Sequence, residues 1–134
     1  MRPLALAALT LLVAACNPPE PQILGDPGRD ATEVITAIGQ PAYMQGHRIR
    51  PLEVVEDSRC PADVRCVHAG FFRARVEIRS PTGEREEVME LGQGIALDDA
   101  RSLVICRVTP ERLRSGALPA RRGYRITFCM GPGD

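Results

Sequence analysis

The reactive side chains of this sequence are five cysteines, at positions 16, 60, 66, 106 and 129, and two histidines, His47 and His68. Cys60, Cys66 and His68 lie within nine residues, and a fold that returned His47 to them would assemble donors for a soft metal ion. The step between the two cysteines is longer than that of common zinc knuckles, and an oxidising compartment would consume both thiols. A structural disulfide is therefore preferred to a metal, and no metal ligand is assigned. Asp57, Asp63, Asp98 and Asp99 could pair for acid and base work, but 17 acidic residues in 134 place carboxylates together on any solvated surface. His68 could act as a general base, although a lone loop histidine is more often simply exposed. The chain has no Gly-x-Ser-x-Gly elbow, no His-Glu-x-x-His helix and no phosphate-binding glycine loop. No catalytic residue and no cofactor is assigned, and the chain reads as non-catalytic.

Cys16 has a different context. Met1-Arg2-Pro3 supplies a positive start, Leu4 to Val13 is apolar except for Thr10, and Ala14-Ala15 puts small residues before the thiol. This order is that of a secretory signal. The apolar stretch is about half the roughly 20 residues of a membrane-spanning helix, so it targets the chain and does not anchor it. The Val13-Ala14-Ala15-Cys16 step resembles the lipobox of bacterial lipoproteins. That resemblance implies cleavage before Cys16, a diacylglyceryl thioether on its sulfur, and the membrane as a partner through that lipid. Asn17 stands where aspartate retains some lipoproteins at the inner membrane, so the expected location is the periplasmic face of the outer membrane.

Removing the first fifteen residues from 134 leaves 119, enough for one domain with a genuine core. Basic and acidic residues balance at 17 each, which argues against a nucleic-acid partner. Every basic residue is arginine. Arginine forks suit carboxylates and phosphates, while the accompanying wealth of Ala, Gly and Pro fits the codon usage of a GC-rich genome. With Cys16 lipidated, four cysteines remain, an even number that reads as two disulfides in an exported chain.

The elements that would position these residues follow from periodicity. Residues 16–31 are proline-rich, from Asn17-Pro18-Pro19 to Asp26-Pro27-Gly28, and read as a semi-rigid tether reaching up to roughly 40 Å. A single domain is expected over 32–131, with 132–134 as a tail. Phe72, Ala74, Val76 and Ile78 alternate with Arg73, Arg75, Glu77 and Arg79; Ser80-Pro81-Thr82-Gly83 then turns the chain into a return strand at Glu87 to Leu91. Tyr124, Ile126, Phe128 and Met130 alternate in the same way, and Leu103 to Val108 reads as a more buried strand. Leu52 to Val55 is a shorter candidate, and Glu33 to Ile38 is either a strand or a helical turn. No segment sustains a helical period, so the expected fold is all-β, a small antiparallel sandwich stapled by two disulfides. Gly39-Gln40, Met44, Arg48, Leu52 and Val55 match Gly92-Gln93, Leu97, Arg101, Ile105 and Val108 at an offset of 53, which is either an ancestral duplication or two similar hairpins.

The most distinctive segment runs Asp57-Ser58-Arg59-Cys60-Pro61-Ala62-Asp63-Val64-Arg65-Cys66-Val67-His68-Ala69-Gly70. Placed between two strands, it reads as a surface knuckle. It resembles a group of uncharacterised bacterial secreted proteins and lipoproteins with an aspartate-serine-arginine-cysteine-proline run and a second cysteine before alanine-glycine. In that group an aromatic often occupies the place of His68. The likeness extends, less specifically, from Gly39 to the last strand and implies a β-rich fold without an activity. Proximity pairs Cys60 with Cys66, and a seven-residue loop gains about 2.4 kcal/mol on closure. Cys106 and Cys129, in two late strands, close a 24-residue loop worth about 3.4 kcal/mol. A closed knuckle presenting Arg59, Asp63, Arg65 and His68 is a candidate recognition loop for an envelope protein partner. The competing reading is a structural envelope-assembly lipoprotein with no ligand.

Overall fold

The computed structural model of the chain describes residues 31–98, 100–111, 114 and 123–132, and its regular structure is β-strand. Cys16, the expected export signal and nearly all of the expected tether lie outside the described residues. Eight strands follow in order: β1 (Glu33–Ala37), β2 (Ala42–Met44), β3 (His47–Asp57), β4 (Phe72–Ser80), β5 (Gly83–Glu90), β6 (Gly94–Asp98), β7 (Arg101–Thr109) and β8 (Arg125–Pro132). They form two antiparallel four-stranded sheets, ordered β1-β8-β7-β6 and β2-β3-β4-β5, packed as a sandwich.

Alternation builds the core. Phe72, Ala74, Val76 and Ile78 from β4 meet Leu103 and Ile105 from β7 and Ile126 and Phe128 from β8, all buried, with Met44, Ile49 and Met89 filling the remaining space. Glu33 to Ala37 is a strand because it pairs along its whole length with β8, from Glu33 opposite Cys129 to Ala37 opposite Arg125. β3 runs far beyond Leu52 to Val55: Ile49 and Pro51 face the core, Arg48 and Arg50 face out, and register shifts at Pro51/Glu53 and Val54/Glu56 interrupt the simple period. β5 begins at Gly83, ahead of the expected Glu87, because Glu84 to Glu86 continue the ladder with β4 although no apolar residue marks them.

The repeat at offset 53 extends across the sandwich. Reversing the second sheet to β5-β4-β3-β2 superposes its order on β1-β8-β7-β6, with β1 on β5, β2 on β6, β3 on β7 and β4 on β8. Each half turns between sheets at a glycine in the left-handed region, Gly39 at φ 82° and Gly92 at φ 83°. Gly39 N–H donates to Pro51 O at 2.6 Å, and Gly92 N–H to Ile105 O at 2.9 Å. The core aligns Pro51 with Ile105 and Val54 with Val108, one residue out of step with the Leu52 and Val55 matches, because β6 carries a register shift between Ala96 and Asp98 that β2 lacks.

The outward face of the second sheet absorbs much of the arginine excess. Glu77, whose side chain is 8% exposed, accepts from Arg48 at 3.1 Å and Arg50 at 2.6 Å. Arg73 reaches Glu56 at 3.2 Å and Glu90 at 2.9 Å, Arg75 meets Glu53 at 3.2 Å, and Arg79 pairs with Glu84. The exposed pairs among these, those of Arg73, Arg75 and Arg79, contribute little stability singly. Their arrangement places glutamates on the edge strand β5, where charge opposes sheet-to-sheet association.

Candidate functional site: the anchored knuckle

The two disulfides are Cys60–Cys66 and Cys106–Cys129, each with Cα atoms 5.8 Å apart. The second joins neighbouring strands on the outward face of the first sheet, where the register passes from Ile105 to Arg107 and leaves Cys106 as the extra residue of a bulge. The first closes the knuckle between β3 and β4.

The knuckle stands on a short extension of the β3–β4 ladder. Ser58 N–H donates to Phe71 O at 2.8 Å and Cys60 N–H to Ala69 O at 3.0 Å, while Ser58 Oγ accepts from Phe71 N–H at 3.0 Å. Gly70 has φ 71°, and a Cβ there would sit 1.8 Å from Ser58 O, so only glycine fits.

Beneath the ladder lies a polar cluster. Arg59 Nε and Nη2 donate to the two oxygens of Asp57 at 2.7 and 2.8 Å, a bidentate fork. Arg59 Nη1 donates to Glu111 O at 3.1 Å, and its guanidinium lies 5.1 Å from the Phe72 ring centroid. Tyr124 Oη donates to Asp57 Oδ2 at 2.8 Å, and its ring packs against Phe72 with centroids 5.8 Å apart. The Asp57 side chain is 3% exposed and that of Arg59 12%. Burial alone would raise the Asp57 pKa, but hydrogen bonds from Arg59 and Tyr124 together with the charge of Arg59 outweigh it and hold the carboxyl below its usual value. Burial and the bond to Asp57 push Tyr124 up to about 12. Asp57, Arg59, Glu111 and Tyr124 thus tie the end of β3 and the base of the knuckle to the residues flanking the β7–β8 connection.

The four expected recognition residues therefore separate. Asp63, Arg65 and His68 are exposed on the knuckle, whereas Arg59 turns inward and holds its base, which corrects its expected place at the tip. Arg65 and His68 have no hydrogen bond or ion pair to any described residue. The tip also carries apolar residues that charge-centred reading passed over: Val67 is 93% exposed and Val64 43%. Their apolar type in an otherwise polar loop was the available signal. His47 is buried at the start of β3, while the knuckle follows its end, about 30 Å of extended chain away, so the two histidines do not share a site.

The anchored tip combines an apolar apex, Val67 and Val64, with the adjacent polar groups of Asp63, Arg65 and His68. Comparison of the chain with family models, with curated proteins and with solved structures finds no match.

Proposed function

We propose that this chain is a non-catalytic lipoprotein of the bacterial cell envelope, tethered through lipid on Cys16 at the periplasmic face of the outer membrane, and that its knuckle recognises an envelope protein. The observation that carries the recognition role is the combination of an immobilised base with an apolar apex. Val67 is 93% exposed on a loop closed by a disulfide and rooted in a buried ion pair. A loop fixed in this way loses little conformational entropy when it docks, so a small apolar contact retains most of its value. The signal-like N-terminus, the lipobox-like Val13 to Cys16 and the resemblance of Asp57 to Gly70 to secreted proteins and lipoproteins support the envelope setting.

Orientation supports it too. Thr32 O accepts from Met130 N–H at 2.9 Å, and Glu33 pairs with Cys129, so the chain enters the sandwich at the end of β8 remote from Tyr124 and the knuckle. A tether anchored at Cys16 then leaves the tip free to face away from its own membrane attachment.

Site-specific photocrosslinking in the envelope of producing cells tests the reading. A photoreactive residue at position 67 should give a discrete protein adduct that disappears with Arg65→Glu, while one at Glu86, on the charged face, should not. Equal adducts from both positions, or none from position 67, would refute the recognition role. The anchor is tested separately by labelled palmitate, whose incorporation should vanish in Cys16→Ser.

A further inference from the structure

At the opposite end of the sandwich from the knuckle, the edges of the two sheets part between β5 and β6 over a cavity of about 210 Å³. Its apolar wall is Ile78 and Leu97 and its rim is the Ser80–Gly83 turn. His47 reaches it from β3 and is only 4% exposed. The Gln45 carbonyl lies 3.1 Å from His47 Nδ1 and also accepts from Arg101 Nη1 at 3.3 Å. A carbonyl only accepts, so Nδ1 carries a proton, and in the neutral ring Nε2 is an acceptor. No described group bonds to that nitrogen, which is open to the cavity.

The remaining polar groups favour the same kind of ligand. Ser80 Oγ donates to Gly83 O at 3.3 Å and accepts from Thr82 N–H at 3.3 Å and from Thr82 Oγ1 at 2.9 Å, so Ser80 is saturated within the turn and the lone pairs that remain are those of Thr82 Oγ1. Glu84 is neutralised by Arg79 outside the cavity, and Arg85, whose Nη2 donates to Ala96 O, lies 3.7 Å from Glu87. The lining therefore offers acceptors at His47 and Thr82, has the Arg85 guanidinium, only part-balanced by Glu87 at 3.7 Å, as a donor, and keeps one apolar wall. A carboxylate would meet the lone pairs of Nε2 and the turn; an ammonium would meet the Arg85 charge. A neutral ligand with several hydroxyls and a C–H face satisfies all of these groups together. The volume falls below the roughly 300 Å³ at which drug-sized pockets begin, which limits the occupant to one ring.

We infer that this cavity is a binding site for an uncharged polyol of the size of a single sugar ring, with His47 Nε2 accepting a ligand hydroxyl. The site is separate from the knuckle and does not depend on its role.

Three rings of similar size and different charge distinguish the possibilities: D-glucose, glucosamine and glucuronate. Each is titrated into the full-length chain in a detergent without sugar headgroups, while imidazole nitrogen and Leu97 methyl resonances are followed. Glucose should give saturable shifts at His47 Nε2 and Leu97, and its affinity should fall about tenfold in His47→Phe, the loss expected for one buried hydrogen bond. Thr82→Val, at an exposed turn position, should weaken glucose as well and serves as the second variant should His47→Phe not fold. Absence of saturable glucose shifts would overturn the inference. So would binding of either charged ring at least as tight as glucose, or an unchanged affinity in the folded variants.

Discussion

Substituting Tyr124 by phenylalanine removes one hydroxyl and keeps the ring that packs on Phe72. The lost interaction is a 2.8 Å hydrogen bond from the phenol to a carboxylate whose side chain is 3% exposed. Bonds to charged partners contribute about 1.5–3 kcal/mol. Asp57 keeps both bonds from Arg59, so the carboxylate is not orphaned and the lower half of that range applies, about 2 kcal/mol. For a domain of this size that corresponds to a fall of roughly 8–16 °C in Tm. Urea titration at pH 7 should show a lower midpoint with an unchanged slope. The deficit also has a pH signature. Asp57 titrates below its ordinary value of 3.8 in the folded chain, so its contribution is complete above that value and is lost as the pH falls through the folded pKa. Tyr124 titrates at about 12 when folded and near 10 when unfolded, so its contribution is complete below pH 10 and is lost between pH 10 and about 12. The gap between wild type and Tyr124→Phe should therefore be widest from pH 5 to 9 and narrow on both sides. A gap under about 0.5 kcal/mol at pH 7, the scatter of ordinary surface changes, would refute the role of this bond as the tie between the loop roots.

Other perturbations separate the two staples and the glycines. Replacing Cys106 and Cys129 together by alanine should lower stability by about 3.4 kcal/mol, and the Cys60/Cys66 pair by about 2.4 kcal/mol, on the loop-entropy estimate; calorimetry of each double variant measures both. Gly70→Ala should cost well over the roughly 1–2 kcal/mol of a left-handed residue, since its Cβ meets Ser58 O, whereas Gly92→Ala should cost about that amount because nothing lies within 4 Å of its added carbon. Equal losses in thermal denaturation would contradict the close approach at Gly70. Glu77→Gln should destabilise more than Glu84→Gln, because Glu77 serves two arginines while only 8% exposed, a difference that urea titration reads directly.

The sequence made β4, β8 and the core of β7 legible because one buried face per strand imposes a period of two. It revealed both disulfides because lipidation of Cys16 would leave four thiols, two close in sequence and two in late strands. β3 was readable only in fragments, since two register shifts and Pro51 break its alternation. The polar start of β5 left no trace, because an edge strand can be charged along its outward face and still pair. The anchor under the knuckle was invisible for a different reason. Asp57 and Tyr124 are 67 residues apart, and only the pairing of the sheets brings them together. The cavity at His47 depends likewise on the separation of two edges, which no local pattern records.

The likeness of the two halves also bears on where the chain is opened. The correspondence that matches β4 to β8 and β5 to β1 matches the tight β4–β5 turn at Ser80–Gly83 to the gap between the end of β8 and the start of β1, where Thr32 and Met130 are already hydrogen-bonded. Topologically the eight strands form a ring with two equivalent seams, one closed by the turn and one left open. A circular permutant that joins β8 to β1 and is cut at Pro81–Thr82 would keep every strand pair and exchange only which half is synthesised first.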